Sequence, residues 1–467
     1  MPDYEMLKVA LEGIEFSDAP GLIKQKSRDF YWYSPILKEE LENVRADIVV
    51  SPADEAELIR VLKAAYALGV PVTARGGGTG NYGQCMPLSG GIVLDMLKMD
   101  QILLVEKGRV IAKPGVNMAA LDKHLRAVSD QELRFHPSTN GSSSLAGFIC
   151  GGSGGVGSIH WGTLRELGNI LRLRVVTLEA EPQVLELTGD DIQKVAHAYG
   201  TNGIITEVEL PLAPAYDWVD VILGFGDYLD AARFADAASQ SSGMLLKELA
   251  VIDAPAPFDY FLRHKPFLQE GEAVVLMMVA PQSIGAVEAL AGLMGAAIRF
   301  RSDRDAEGLQ LPHVYALAWN HTTLRALKLD EGITYLQVLY PGPDHLAQIA
   351  RMHELAGPDV NHHLELIRFG GGIQYTELPI LHTQSKERIA ELIALYEANG
   401  CVIFDPHRYT LEEGGMKQTD AVQLNFKRQT DPKGLLNPGK MIAWDDPDYD
   451  FTQARTYFFR GLAGQEG

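Results

Sequence analysis

The chain has 467 residues, 46% hydrophobic and 22% charged, with 61 acidic residues against 41 basic ones and a formal charge of −20. At roughly 150 residues per domain this suggests about three domain-sized units, large enough to bury a core without disulfides or structural metal. The composition excludes disordered and collagen-like classes, and the diffuse negative field disfavours nucleic acid and anionic membrane surfaces as partners.

Three widely spaced cysteines, Cys85, Cys150 and Cys401, form no CxxC pair. They read as reduced thiols, which points to a cytoplasmic protein without a disulfide framework or zinc site. The first residues, Met1-Pro2-Asp3-Tyr4-Glu5, lack a basic and then apolar leader pattern. The longest clean apolar run, Ala273 to Ala280, is too short to span a bilayer.

In chain order, Asp47–Val50 reads as a strand. Ser51 as N-cap and Pro52 at the first position then open a helix that Gly69 stops. A strand over Val70–Ala74 runs into Gly76-Gly77-Gly78-Thr79-Gly80. Strands are expected at Ile92–Asp95, Ile102–Val105 and Val110–Ala112, and a helix capped by Asn117 over Met118–Val128. A second glycine-rich segment spans Gly141–Gly162. Leu171–Leu178 and Val184–Leu187 read as a hairpin, a short helix near Asp191–Ala198 follows, and the strand Ile204–Leu210 closes the unit. The middle third mixes helices (Leu229–Ala238, Ile284–Ala297, His345–Leu355) with strands (Ala273–Val279, Ile333–Val338), which suggests an antiparallel α+β unit.

Two stretches, Gly78–Gly83 and Gly152–Gly157, match GxGxxG by letter. The first is followed by Gln84-Cys85-Met86-Pro87, which cannot start a helix. The second lacks the acidic residue expected about 20 positions on, so a Rossmann site fits poorly. No GxxxxGK[ST] occurs. Two glycine loops beside apolar strands instead suit an anion gripped by backbone N–H groups from two sides, that is, a phosphate-bearing cofactor.

The run Pro71 to Gly80 resembles the first flavin loop of the vanillyl-alcohol-oxidase/p-cresol-methylhydroxylase (PCMH-type) superfamily, with the glycolate oxidase and D-lactate dehydrogenase branch as the nearest match. Ser144 to Gly155 is similar to the second loop, Gly200 to Glu207 to the strand that meets the adenine, and Gly434 to Lys440 to the C-terminal signature. The resemblance implies an α+β protein: a two-subdomain PCMH-type FAD-binding domain with the N-terminal segment over residues 1–215, a substrate or cap domain with an antiparallel sheet over 216–400, and a C-terminal segment, 401–467, returning to the flavin.

It further implies that Arg75, Gly76, Gly77, Gly78, Thr79, Gly80, Asn81, Gln84, Pro137, Thr139, Ser144, Gly147, Cys150, Gly151, Gly154, Gly155, Ser158, Gly203, Ile205, Asn437 and Lys440 bind FAD. Many relatives attach flavin through a His where this chain has Thr79, so non-covalent FAD is expected. The metal-ligand pattern of some members is missing, so no metal is expected. The cluster His362-His363-Leu364-Glu365 is read as solvated.

For chemistry, His407, Arg408 and Tyr409 place a base, a cation and a phenol in one segment, with His407 as candidate general base. Trp319–Thr323 and Ile367–Tyr375 form the pocket wall if both are inward-facing strands, and Arg368, His321 and Tyr375 are further candidates. The expected activity is oxidation of a small alcohol or 2-hydroxy acid by hydride transfer to FAD. A bulkier phenolic, sugar or amine substrate stays open, as does a non-enzymatic flavin-binding protein. The electron acceptor (oxygen, a quinone or a protein) and a homodimer are also left open.

Overall fold

The computed structural model describes residues 3–451 and 455–463; the outer ends of the first and last expected segments, 1–2 and 464–467, lie outside them. Four sheets organise the chain. The first orders Glu15–Ser17, Ile48–Ser51, Ile92–Asp95 and Val72–Arg75, the last three parallel. Its strands are nearly continuous runs of Ile, Val and Leu, buried on both faces, as parallel strands require. The helix Glu55–Leu68 crosses between them and buries Leu58, Val61, Leu62 and Ala65. Its cap is Asp54, which accepts from the Glu57 N–H, and not the Ser51 expected from the sequence. Ser51 is still paired with Glu15 in the sheet. Gly69 ends the helix at φ 66°, as expected.

The second sheet is antiparallel around the long strand Ile204–Pro214, which pairs with Arg109–Ala112, Arg172–Val176 and Gln131–Leu133. The expected hairpin is present as Arg172–Val176 against Val184–Leu187. The helix Met118–Ser129 carries the expected Asn117 cap, bonded to the Ala120 N–H at 3.0 Å.

The third sheet has eight strands, ordered Ala297–Arg301, Val219–Phe225, Ala273–Val279, Leu246–Ile252, His363–Phe369, Gly372–Glu377, Val338–Tyr340 and Val402–Ile403. Its recorded pairings are antiparallel. Helices Tyr228–Ser239, Ile284–Leu293, His345–Leu355 and Lys386–Ala398 bury their apolar residues in the core on one face. The other face carries Ala250, Ile252, Val274, Leu276 and Met278 in a separate core. The helix expected through Ala297 stops at Leu293; Gly295, at φ 73°, turns the chain into an edge strand. A small sheet of Thr334–Tyr335, Ile380–Leu381 and Val360–Asn361 completes the fold. Among the described residues no helix is long and apolar enough to cross a membrane.

The C-terminal signature docks against the first sheet. The Val72 N–H donates to the Leu435 carbonyl and the Asn437 N–H to the Val72 carbonyl, both at 2.8 Å. Asn437 then sends its Nδ2 to the carbonyls of Gln84 and Tyr199. Lys440 is fully buried and donates to the Gly83 carbonyl. Residues about 360 positions apart in the chain thus fix the base of the first glycine loop.

Candidate functional site

The glycine loops of the first two sheets and the inner face of the third enclose one cavity of about 560 Å³. The first loop follows Val72–Arg75 and the second surrounds the helix Leu145–Gly151. The loops touch. Thr79 Oγ1 lies 2.8 Å from Ser143 Oγ, and the Gly77 N–H donates to Ser144 Oγ. A Cβ on Gly76 would sit 1.9 Å from Ser144 Oγ, and one on Gly77 2.1 Å from the Ser142 carbonyl. Only glycine permits this approach of two backbones.

Among the described residues, the backbone N–H groups of Gly78, Thr79, Gly80 and Asn81 on one side, and of Ser153 and Gly154 on the other, have no protein partner. All six residues line the cavity. Opposed sets of unmet donors in glycine-lined walls are what a bound diphosphate requires. The residues present therefore fit a dinucleotide cofactor.

Of the expected FAD-binding residues, Arg75, Gly76, Gly77, Gly78, Thr79, Gly80, Asn81, Gln84, Pro137, Thr139, Ser144, Gly147, Cys150, Gly151, Gly154, Gly203 and Ile205 line this cavity. Four lie behind it. Gly155 is packed within 2.2 Å of the His136 carbonyl, counted from an added Cβ, and its N–H is held by Ser158 Oγ. Asn437 and Lys440 support the first loop from below. Burial pushes the Cys150 thiol up to about 12, so it packs as a neutral side chain.

The candidate catalytic residues separate. His321 lines the cavity, and burial, followed by the charges of Arg325 and Lys328, pulls its imidazole down to about 4. His407 is not a wall residue. It is buried beside Tyr335, with ring centroids 6.5 Å apart, and its Nδ1 lies 2.7 Å from Ser34 Oγ. Arg408 is exposed and pairs with Asp405, and Tyr409 packs by Leu37, Leu41 and Met86. Arg368 points to solvent because its neighbours Ile367 and Phe369 take the inner face. Tyr375 falls on the opposite face of the sheet, where its hydroxyl bonds to Asp236. Residues 320–327 form a helix and not a strand, since Ala326 and Leu327 bury one side of it.

The cluster His362–Glu365, expected to be solvated, is fully interior because its strand lies well inside the eight-stranded sheet. Successive side chains alternate between faces. His362 Nδ1 meets Glu377, which also accepts from Tyr340 and Tyr396. His363 Nε2 meets Glu365 at 2.7 Å on the other face. Glu365 Oε1 accepts the Trp319 N–H at 2.6 Å, and Glu248 Oε2 accepts the Trp319 indole N–H at 3.0 Å. Trp319, a wall residue, is thereby clamped at φ 53°, ψ −149°, a conformation that costs a non-glycine residue on the order of 1–3 kcal/mol. Among the described residues no group of three or more His, Cys, Asp and Glu could hold a metal ion.

Burial pushes Glu365 up to about 8 and Glu248 well above its ordinary range, the latter also because Glu365 faces it. Glu365 is thus protonated in the folded protein at pH 7 but ionised in the unfolded chain. Stability is retained below its ordinary value of 4.5 and is lost as pH climbs to about 8. Glu365→Gln, which keeps an acceptor for Trp319, should flatten the fall in melting temperature between pH 5 and pH 9. A wild-type slope in that variant would show that Glu365 is ionised in the fold.

Sequence reasoning passed over Tyr82, Tyr335, Gln337 and Asn320 as a group. Asn81 Nδ2 donates to the Tyr335 hydroxyl at 2.6 Å, and Tyr82 hydrogen-bonds with the side chains of Tyr335 and Gln337. Burial raises both phenols, so both stay protonated. The Asn320 side chain also hydrogen-bonds with Tyr335 and so joins this set. The adjacency of Asn81 and Tyr82 to the first loop was the one available signal.

Residues 46–187 match the FAD-binding domain family. Over 94% of its length the chain follows an alkyldihydroxyacetonephosphate synthase structure, covering 85% of that chain, with TM-score 0.71 at 15% identity. The chain carries an FAD-binding domain, and its fold is of the PCMH type. It is 33% identical over 217 residues to an uncharacterised FAD-linked oxidoreductase of Mycobacterium tuberculosis, covering 43% of this chain and 45% of that one. The match therefore spans under half of that relative. A longer match, 26% identical and covering 85% of this chain and 91% of its partner, is to the D-lactate dehydrogenase of Archaeoglobus fulgidus. The matched domain marks FAD as the cofactor, and the opposed N–H sets of the two loops are the groups that would hold its diphosphate.

Proposed function

We propose that the protein is an FAD-dependent oxidoreductase acting on the hydroxyl-bearing carbon of a small molecule, a small alcohol or 2-hydroxy acid. The observation that carries this is a single cavity running from the unmet N–H groups of both loops to a wall that presents a neutral imidazole, His321. When bound, FAD supplies the two-electron acceptor that takes hydrogen and its electron pair from the carbon, leaving a carbonyl product. His321 accepts the hydroxyl proton. Trp319, held by Glu365 and Glu248, shapes the wall and keeps water out. The 2-hydroxy-acid form of the reading draws support from the similarity to the D-lactate dehydrogenase of Archaeoglobus fulgidus.

In this reading the segments 1–215 and 401–467 serve the flavin, and 216–400 cover the substrate. FAD is held without a covalent bond, because Thr79 stands at the first-loop attachment position and spends its hydroxyl on Ser143. One experiment tests the reading. Acid precipitation should leave yellow FAD in the supernatant, and anaerobic addition of alcohols or 2-hydroxy acids to the untreated holoprotein should bleach the flavin bands. Flavin in the pellet refutes the binding mode. Bleaching by no member of either class refutes the activity.

A further inference from the structure

We propose that the tip of the hairpin His363–Phe369 and Gly372–Glu377, with the neighbouring segment 160–167 and Arg460, is a docking surface for an acidic protein. It does not depend on the proposed oxidation. On a chain of charge −20, this corner of the surface is cationic. Arg134, Arg165, Arg368 and Arg460 come from distant parts of the sequence and meet here. The Arg134 guanidinium lies 4.5 Å over the Trp161 ring, which meets the His160 ring edge-on at 4.7 Å. His160 feels the charge of Arg368. Next to Arg368, the Phe369 ring carries the Arg165 guanidinium at 5.0 Å, and the Phe458 ring carries it at 5.6 Å. Arg165 in turn feels the charge of Arg460.

Little opposes this charge. Among the described residues, the one carboxylate paired with any of the four arginines is Glu166, 3.8 Å from Arg165, and it also accepts the Gly370 N–H at 3.0 Å. Arg368 and Arg460 are exposed. Arg134 and Arg165 are half-buried and rest on aromatic rings, so they lose less freedom when a carboxylate meets them. Arginine is also the cation that protein interfaces favour, because its planar fork matches a carboxylate. Leu167, 65% exposed, adds apolar area beside Glu166. Gly370 and Gly371 at the tip have open space where a side chain would stand, so a partner can approach closely. Phe458, under Arg165, also lines the cavity, so the surface backs onto it.

The net charge selects the kind of partner. A membrane or a nucleic acid is an extended anion, and it would bring its charge against the rest of a strongly acidic molecule. A protein with a local cluster of Asp and Glu needs complementarity only over the patch itself. A second copy of this chain would have to dock an acidic face on a basic one, a head-to-tail contact that closes on no simple dimer.

The test uses the holoprotein and fluorescently labelled poly-L-glutamate as the probe, with binding read by anisotropy. Wild-type protein should bind the probe at low ionic strength although both are strongly negative. The affinity should fall at least about tenfold as salt rises from roughly 0.02 to 0.2 M, where screening takes over. Arg368→Glu combined with Arg460→Glu should weaken binding at least about tenfold at unchanged FAD content. Lys63→Glu combined with Lys98→Glu, the same change in net charge on the first sheet and its helix, should leave it within about twofold. Arg165→Gln is a further probe if the first pair loads flavin poorly. No binding of polyglutamate, or equal losses in the two pairs, overturns the proposal. Tighter binding of duplex DNA or of phosphatidylserine vesicles through the same arginines overturns the assignment to a protein. Light scattering covers the remaining occupant: self-association at low salt that Arg368→Glu with Arg460→Glu abolishes would make it a second copy and overturn the assignment to another protein.

Discussion

Gly78→Val should purify without FAD, where the wild-type protein is loaded close to one flavin per chain. Two independent constraints meet at this position. Gly78 sits at φ 64°, where a β-branched residue is strained by on the order of 1–3 kcal/mol. A Cβ there would lie 2.0 Å from Arg75 Nη2 and 2.4 Å from its Cζ. The obstacle is thus the arginine beneath the loop as much as the cofactor in front of it. Arg75 cannot yield cheaply, since it ties the Gly76 carbonyl to that of Arg28. Displacing it would turn the N–H groups of Gly78, Thr79 and Gly80 away from the Ser153–Gly154 side and remove one half of the grip. Flavin content read from the ratio of flavin to protein absorbance checks this. Full loading of the variant would mean that the loop is only a turn.

The loops were legible in the sequence because the demand on them is local. A backbone that must approach another backbone or an anion needs glycine, and dense glycine beside an apolar strand is visible in one dimension. The hairpin of Arg172–Leu187 and the helices around residues 228–239 and 345–355 were legible for a similar reason, since period and caps are local. What escaped was set by distant pairing. Ser51 looked like a helix cap, but its partner Glu15 keeps it in the sheet. His362 and His363 looked solvated, because nothing nearby in the sequence says that Leu246–Ile252 and Gly372–Glu377 will flank their strand. Their partners Glu377 and Glu365 lie on opposite faces, a consequence of alternation that only a known strand position makes readable. The segment His407–Tyr409 suggested catalysis by its residue types, but the fold packs His407 against Ser34 and Tyr335, off the cavity wall. The Asn81–Tyr82–Tyr335 set joins residues about 250 positions apart and had no signature to find.

His321→Ala should slow reduction of the bound flavin by roughly 10²–10⁴-fold, the usual loss on removing a general base, with FAD content unchanged. His321 is favoured over His407 because it reaches the cavity and because its burial fixes its protonation state. An imidazole pulled down to about 4 by burial is neutral, and so able to accept a proton, at every pH above that value. The wild-type reduction rate should therefore stay level from alkaline pH down to about 5 and fall only as the pH approaches 4. A base with an ordinary imidazole value would lose rate near pH 6.5 instead. His407→Ala is the contrasting variant: it removes the buried bond to Ser34 and should alter thermal stability more than the reduction rate. Stopped-flow reduction of all three proteins under anaerobic conditions, across pH, separates the candidates. Wild-type rates in His321→Ala together with a collapse in His407→Ala would move the base to His407.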